Sequence, residues 1–150
     1  MPRKRPPGYY VVAGLDLADE MDRLRALDVF RGGELAERRP ELRIRRPGGR
    51  PNRVGFAIPS EWRLSVTAFP GIRRGDAQEI LLHELVHLHV GELPGRRRWH
   101  GRGFRVALHL AMTEAYGLRL AMPRSVLHGT YAEAIERARN PEQLALAIAA

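Results

Sequence analysis

Apolar positions alternate between two periods along this chain, and the changes of period outline its elements. Between residues 16 and 31, Leu17, Met21, Leu24 and Leu27 or Val29 recur at helical spacing. Asp16 is placed to cap that helix, Asp19 and Glu20 suit its positive end, and Gly32-Gly33 ends it. Two short apolar runs follow, 54–58 and 62–69. In the second, Leu64, Val66 and Ala68 alternate with Arg63, Ser65 and Thr67, the period-2 pattern of a half-buried strand. Pro70-Gly71 breaks that strand, and Asp76-Ala-Gln-Glu79 reads as a capping box opening a helix through Ile80 to about Val90. Gly91 suits its C-terminal cap. Further helices are predicted over 103–116, stopping at Gly117, over 131–139, and after Asn140-Pro141. The order of helix, two or three strands, then helices predicts an α+β domain with a small, mostly antiparallel sheet. The division expected is a basic N-terminal segment 1–15, a core 16–122 and a helical extension 123–150 within the same domain.

Between the first helix and the strands lies a segment of different character. Residues 38–53 hold Arg38, Arg39, Arg43, Arg45, Arg46, Arg50 and Arg53 against the single acid Glu41, with Pro47-Gly48-Gly49 at the centre. The composition predicts a basic hairpin arm. A second concentration, Arg96-Arg97-Arg98 with Arg102 and Arg105, flanks His100. The chain as a whole carries 25 Lys+Arg against 17 Asp+Glu, a formal charge of +8, and Lys4 is its one lysine. Two readings follow: an arginine-biased composition, or a basic rim that draws the protein to nucleic acid such as DNA, with Arg96, Arg97, Arg98 and Arg102 as the contacts, or that selects acidic substrates. Trp62 and Trp99 are able to stack on bases, although core positions are commoner for both.

A length of 150 residues supports one domain and no second enzymatic one. The absence of cysteine excludes a disulfide scaffold, a thiolate zinc finger and a cysteine nucleophile, so any metal site must use His, Asp or Glu. No apolar stretch approaches a membrane span and no leader pattern is read at the start, so a soluble, cytoplasmic, monomeric protein with no membrane partner is expected.

The strongest local signal is His83-Glu84-Leu85-Val86-His87. Residues four apart on a helix project from one side, so both imidazoles can reach one ion, while Glu84 beside the first can contact water at that ion without ligating it. Metal-assisted peptide hydrolysis needs this arrangement, together with a third protein ligand and an open position. His89, about 200° around the helix from His87, points away. Leu93 and Val90 stand where the longer HExxHxxGxxH motif places its third histidine and its glycine. For the third ligand His100 ranks first, Glu114 on the following helix second and His109 third. The 13 residues from His87 to His100 contain Gly91 and Pro94-Gly95, enough to fold back over an ion.

His83-Glu-Leu-Val-His87, a short loop, then Trp99-His100-Gly101-Arg-Gly-Phe104 resembles the SprT-like metallopeptidases, which pair HExxH with a downstream His-Gly-x-x-aromatic element. The likeness spans roughly residues 54–117. It implies a minimal zincin-like domain in which His83, His87 and His100 bind Zn2+, Glu84 is the catalytic base and the substrate is protein or peptide. Larger members act on proteins crosslinked to DNA through a separate zinc-binding or DNA-binding segment, and nothing like a cysteine zinc ribbon is present here. An extended substrate would pair with an exposed strand, for which 62–69 is the candidate, and Arg102, Tyr116 and Tyr131 are able to stabilise an oxyanion. The rival readings are a nucleic-acid-binding module with a structural or vestigial metal site, and another metal-dependent hydrolase using the same ligands.

Overall fold

The computed structural model describes residues 4–47, 54–91 and 101–117. The helices expected beyond residue 117, the C-terminal extension, Trp99, His100, Arg96, Arg97, Arg98 and Tyr131 lie outside them, as does the side chain of Arg102.

The chain opens with a tight hairpin of β1 (Val11–Val12) and β2 (Leu15–Asp16), turned by Ala13 and Gly14 at φ 51° and 77°. Two central residues with positive φ make the turn whose twist matches that of paired strands. Val12 and Leu15, within the basic N-terminal segment 1–15, are buried in the packed fold. Asp16 then caps α1 (Leu17–Arg25), its carboxylate accepting from Ala18 N–H at 2.9 Å and Asp19 N–H at 3.0 Å. The buried stripe of Leu17, Met21 and Leu24 is the one the periodicity marks.

The helix does not run to residue 31. It closes at Ala26, Leu27 is extended, and a 3-10 turn spans Asp28–Phe30. The cause is a group 86 positions away: both carboxylate oxygens of Glu114 accept from the N–H groups of Asp28 (2.7 Å) and Val29 (3.1 Å). No local pattern encodes that cap.

A one-turn helix α2 (Glu34–Glu37) leads to β3 (Glu41–Arg45), followed by β4 (Gly55–Ile58), a 3-10 turn (Pro59–Glu61) and β5 (Arg63–Thr67). These three strands form one mixed sheet in the order β3-β5-β4, with β3 parallel and β4 antiparallel to β5. Two sequence readings are corrected here. Residues 41–45 are a sheet strand, not an arm of a basic hairpin; Leu42 and Ile44 alternate with Glu41, Arg43 and Arg45, and the arginines on the other face masked that alternation. As a consequence β5 is the central strand, bonded on both sides, and not an exposed edge.

Across one face of the sheet lies α3 (Arg74–Val90), which also packs against α1, α2 and α4 (Arg102–Tyr116). Surrounded in this way, α3 is buried from Ala77 through Leu88 except at Gln78, on all sides instead of along one stripe. It starts two residues before Asp76. That residue occupies the third helical position and its carboxylate reaches back to accept from the Arg73 N–H at 3.0 Å and the Arg73 guanidinium at 3.2 Å. Gly91 at φ 77° and Gly117 at φ 63° close α3 and α4 where the sequence places the stops. No helix among the described residues is long and apolar enough to cross a membrane.

Candidate metal centre

The middle of α3 carries four polar side chains inside an otherwise hydrocarbon environment. Glu79, His83, Glu84 and His87 are each between 1% and 3% exposed, while Ile80, Leu81, Leu82, Leu85 and Val86 around them are at 2% or less. Polar groups at that depth are costly to bury, and departures of this kind from a consistent core fall at functional or strained sites.

His83 and His87, one helical turn apart, bring their rings together with centroids 4.9 Å apart and planes at 73°. The donor set, two imidazoles with a carboxylate adjacent and no thiolate, suits an ion of zinc's preferences. The described residues contain no group of three or more His, Asp or Glu placed to hold an ion, so a third protein ligand would have to come from elsewhere in the chain.

Phe104, in the first turn of α4, closes one side of the pair. Its fully buried ring lies stacked on His87, 4.3 Å between centroids at 27°, and edge-on to His83 at 4.9 Å and 67°. The other boundary is β4. An added Cβ at Gly55 would stand 3.3 Å from Cγ of Glu84, 2.8 Å from Cγ2 of Ile80 and 2.9 Å from the Ser65 carbonyl oxygen. The strand backbone thus lies directly against the stem of Glu84. Sequence reading did not single out Gly55 or give Phe104 a role of its own; a glycine at the start of an apolar strand was the available sign of close backbone approach.

Of the alternative ligands, Glu114 is ten residues beyond Phe104, about 15 Å along the helix axis, with its carboxylate committed to the 3-10 turn. His109 lies on α4 with a buried Nδ1 that has no hydrogen-bond partner among the described residues. His89 turns away from the pair, as its helical position requires, and packs edge-on against Phe30 at 5.1 Å and beside Gly33; burial lowers its pKa. The Tyr116 hydroxyl donates to Glu20 on α1 at 3.3 Å, and burial first, then the Glu20 charge, raises its pKa.

The arginines of 38–46 are largely engaged within the fold. Arg38 pairs with Glu34 at 3.0 Å, Arg39 with Asp22 at 2.8 Å and Arg43 with Glu41 at 3.0 Å, while Arg45 lies 5.1 Å over the Phe56 ring. Trp62 is 6% exposed and donates Nε1–H to the Arg38 carbonyl at 2.9 Å, a core position and not a stacking platform. Comparison with protein-family models, curated proteins and solved structures finds no match to this chain.

Proposed function

We propose that this protein is a zinc-dependent metallopeptidase of the SprT-like type, with His83, His87 and His100 as ligands and Glu84 as general base. The observation that carries the reading is the buried His83–His87 pair with Glu84 beside it, set among the buried Ile80, Leu81, Leu82, Leu85 and Val86. His100 is the preferred third ligand because it directly precedes Gly101, the N-cap of the helix whose first turn delivers Phe104 onto both rings. Glu114 is the weaker choice on the distance and the commitment of its carboxylate.

When bound, the ion supplies Lewis acidity, polarising a carbonyl and bringing the pKa of a water to about 7. The chain's part is to hold and aim groups. The imidazoles of His83 and His87 present one nitrogen each from adjacent turns of a rigid, fully packed helix. The Glu84 carboxylate takes the proton from the attacking water and passes it to the leaving amine. Its stem is fixed against β4, so little freedom is lost as the reaction proceeds.

An extended peptide is placed by β4 on this reading. Val54 and Thr67 are bonded across the β4–β5 pair, which turns the main-chain groups of Gly55 and Ala57 outward. Among the described residues no strand occupies that edge. On the opposite edge, the main chain of Ile44 is already engaged: the Tyr9 hydroxyl accepts from Ile44 N–H at 3.1 Å and donates to Ile44 C=O at 3.3 Å. A peptide paired along β4 passes beside Glu84.

The nucleic-acid-module reading draws less support, because Arg38, Arg39 and Arg43 are matched with carboxylates of the same chain and Arg45 lies over the Phe56 ring. The deciding experiment is metal analysis of the purified full-length protein with peptide cleavage by wild type and Glu84→Gln. Stoichiometric zinc in both, with cleavage lost at least about 100-fold in the variant, is expected. A metal-free protein, or cleavage that survives in Glu84→Gln, overturns the proposal.

A further inference from the structure

We propose that Phe104 is a positioning residue for the histidine pair: its ring holds both imidazoles in the rotamers that converge on one ion, so that metal loading depends on the docking of the first turn of α4. The inference rests on the metal reading of α3 for its consequence, but not for its geometry. A histidine ring on a helix has several χ1 and χ2 wells, and a binding site gains affinity when those are narrowed before the ion arrives. Hydrogen bonds from a carboxylate or carbonyl do this in many metal sites. Here an aromatic wall contacts the pair: one ring is stacked on His87 at 4.3 Å and simultaneously edge-on to His83 at 4.9 Å.

Two features make Phe104 more than ordinary core filling. It touches both imidazoles at once, so it fixes their mutual angle of 73° as well as each ring separately. It also belongs to a different element from the histidines, so α3 alone does not determine the pair. Leu108, one turn further along α4 and also buried, is an aliphatic core residue of the same helix and provides the matched control.

The test uses the full-length protein with Phe104→Leu, Phe104→Met, Phe104→Tyr and Leu108→Ala. Zinc affinity, the visible absorption of the cobalt-substituted protein and the χ1 couplings of His83 and His87 in the metal-free protein are measured. Phe104→Leu should weaken zinc binding roughly tenfold, broaden the cobalt bands and average the histidine couplings, while Phe104→Tyr, which keeps the ring, restores all three. If the leucine variant does not fold, Phe104→Met fills the same space flexibly and should show the same losses. Leu108→Ala should lower the melting temperature without moving zinc affinity. Unchanged affinity and single rotamers in Phe104→Leu, or an equal loss in Leu108→Ala, overturn the inference. A wild type that binds no zinc sinks the peptidase reading instead, and the metal-free couplings then decide the ordering role by themselves.

Discussion

Gly55 and Glu84 are held so close that a single added carbon on the glycine would stand 3.3 Å from the Cγ of the glutamate. The same carbon would meet Ile80 Cγ2 at 2.8 Å and the Ser65 carbonyl oxygen at 2.9 Å. The isoleucine tip can yield, but the carbonyl belongs to the central strand and is held on both sides. Gly55→Ala should therefore push β4 away from α3 and cost about 1–3 kcal/mol, read as a fall in melting temperature or denaturant midpoint. On the proposed function it should also lower kcat more than zinc content, because the displaced group is the base and not a ligand. A variant as stable as wild type would show that the strand tolerates the carbon.

Glu114 makes a prediction that separates structure from metal chemistry. Its carboxylate satisfies two N–H groups that open the 3-10 turn at Asp28. Glu114→Ala removes both acceptors and should destabilise the protein by about 1–2 kcal/mol while leaving the zinc stoichiometry intact. Loss of zinc from this variant at a temperature where it remains folded would transfer the third ligand from His100 to Glu114.

The same residue shows where sequence reading reached its limit. Helix ends written as local chemistry were legible: Gly91 and Gly117 end α3 and α4 because positive φ is open to glycine, and Asp16 caps α1 because its carboxylate reaches the amides two and three residues on. The end of α1 was not legible, since the 3-10 turn that replaces its continuation is held by Glu114 of α4. Strand β3 was hidden because its alternating positions are arginines, whose charge suggested a solvated arm, whereas Arg43 and Arg45 lie along one face and settle on Glu41 and Phe56. Mistaking that strand made β5 look like an edge. At the site, the helical repeat was enough to juxtapose His83 and His87, but the contribution of Phe104 and Gly55 is tertiary. Neither residue's spacing from the histidines encodes a contact across elements.

The turn between β1 and β2 contains avoidable strain. Ala13 sits at φ 51°, a left-handed conformation that costs an alanine roughly 1 kcal/mol and that asparagine or glycine adopts more readily. Ala13→Asn should therefore raise stability by about 0.5–1 kcal/mol and leave metal content and activity unchanged, since the hairpin is remote from α3's histidines in the chain. Differential scanning calorimetry would detect the gain as a melting temperature higher by a few degrees. A decrease would mean that the alanine methyl makes a contact worth more than the backbone strain.

Alkaline stability tests the junction of α1 and α4. Tyr116 donates to buried Glu20 at 3.3 Å, and Glu20 also accepts from the Arg23 guanidinium, which lies 5.4 Å over the tyrosine ring. Burial and the neighbouring carboxylate both disfavour a phenolate, so the folded pKa is raised above the ordinary 10.0 of an exposed tyrosine. A raised folded pKa means that the unfolded chain loses this proton first. The contribution is therefore fully present below pH 10 and declines as pH rises beyond it. Tyr116→Phe should cost about 0.5–1.5 kcal/mol at neutral pH through the lost hydrogen bond. The gap between the two proteins should then narrow as pH increases from 9 to 11, because only the wild type has a proton to lose there. Paired denaturant titrations across that range check the sign; an unchanged gap would mean that the phenolate is tolerated in the folded state, and a widening one that the fold favours it.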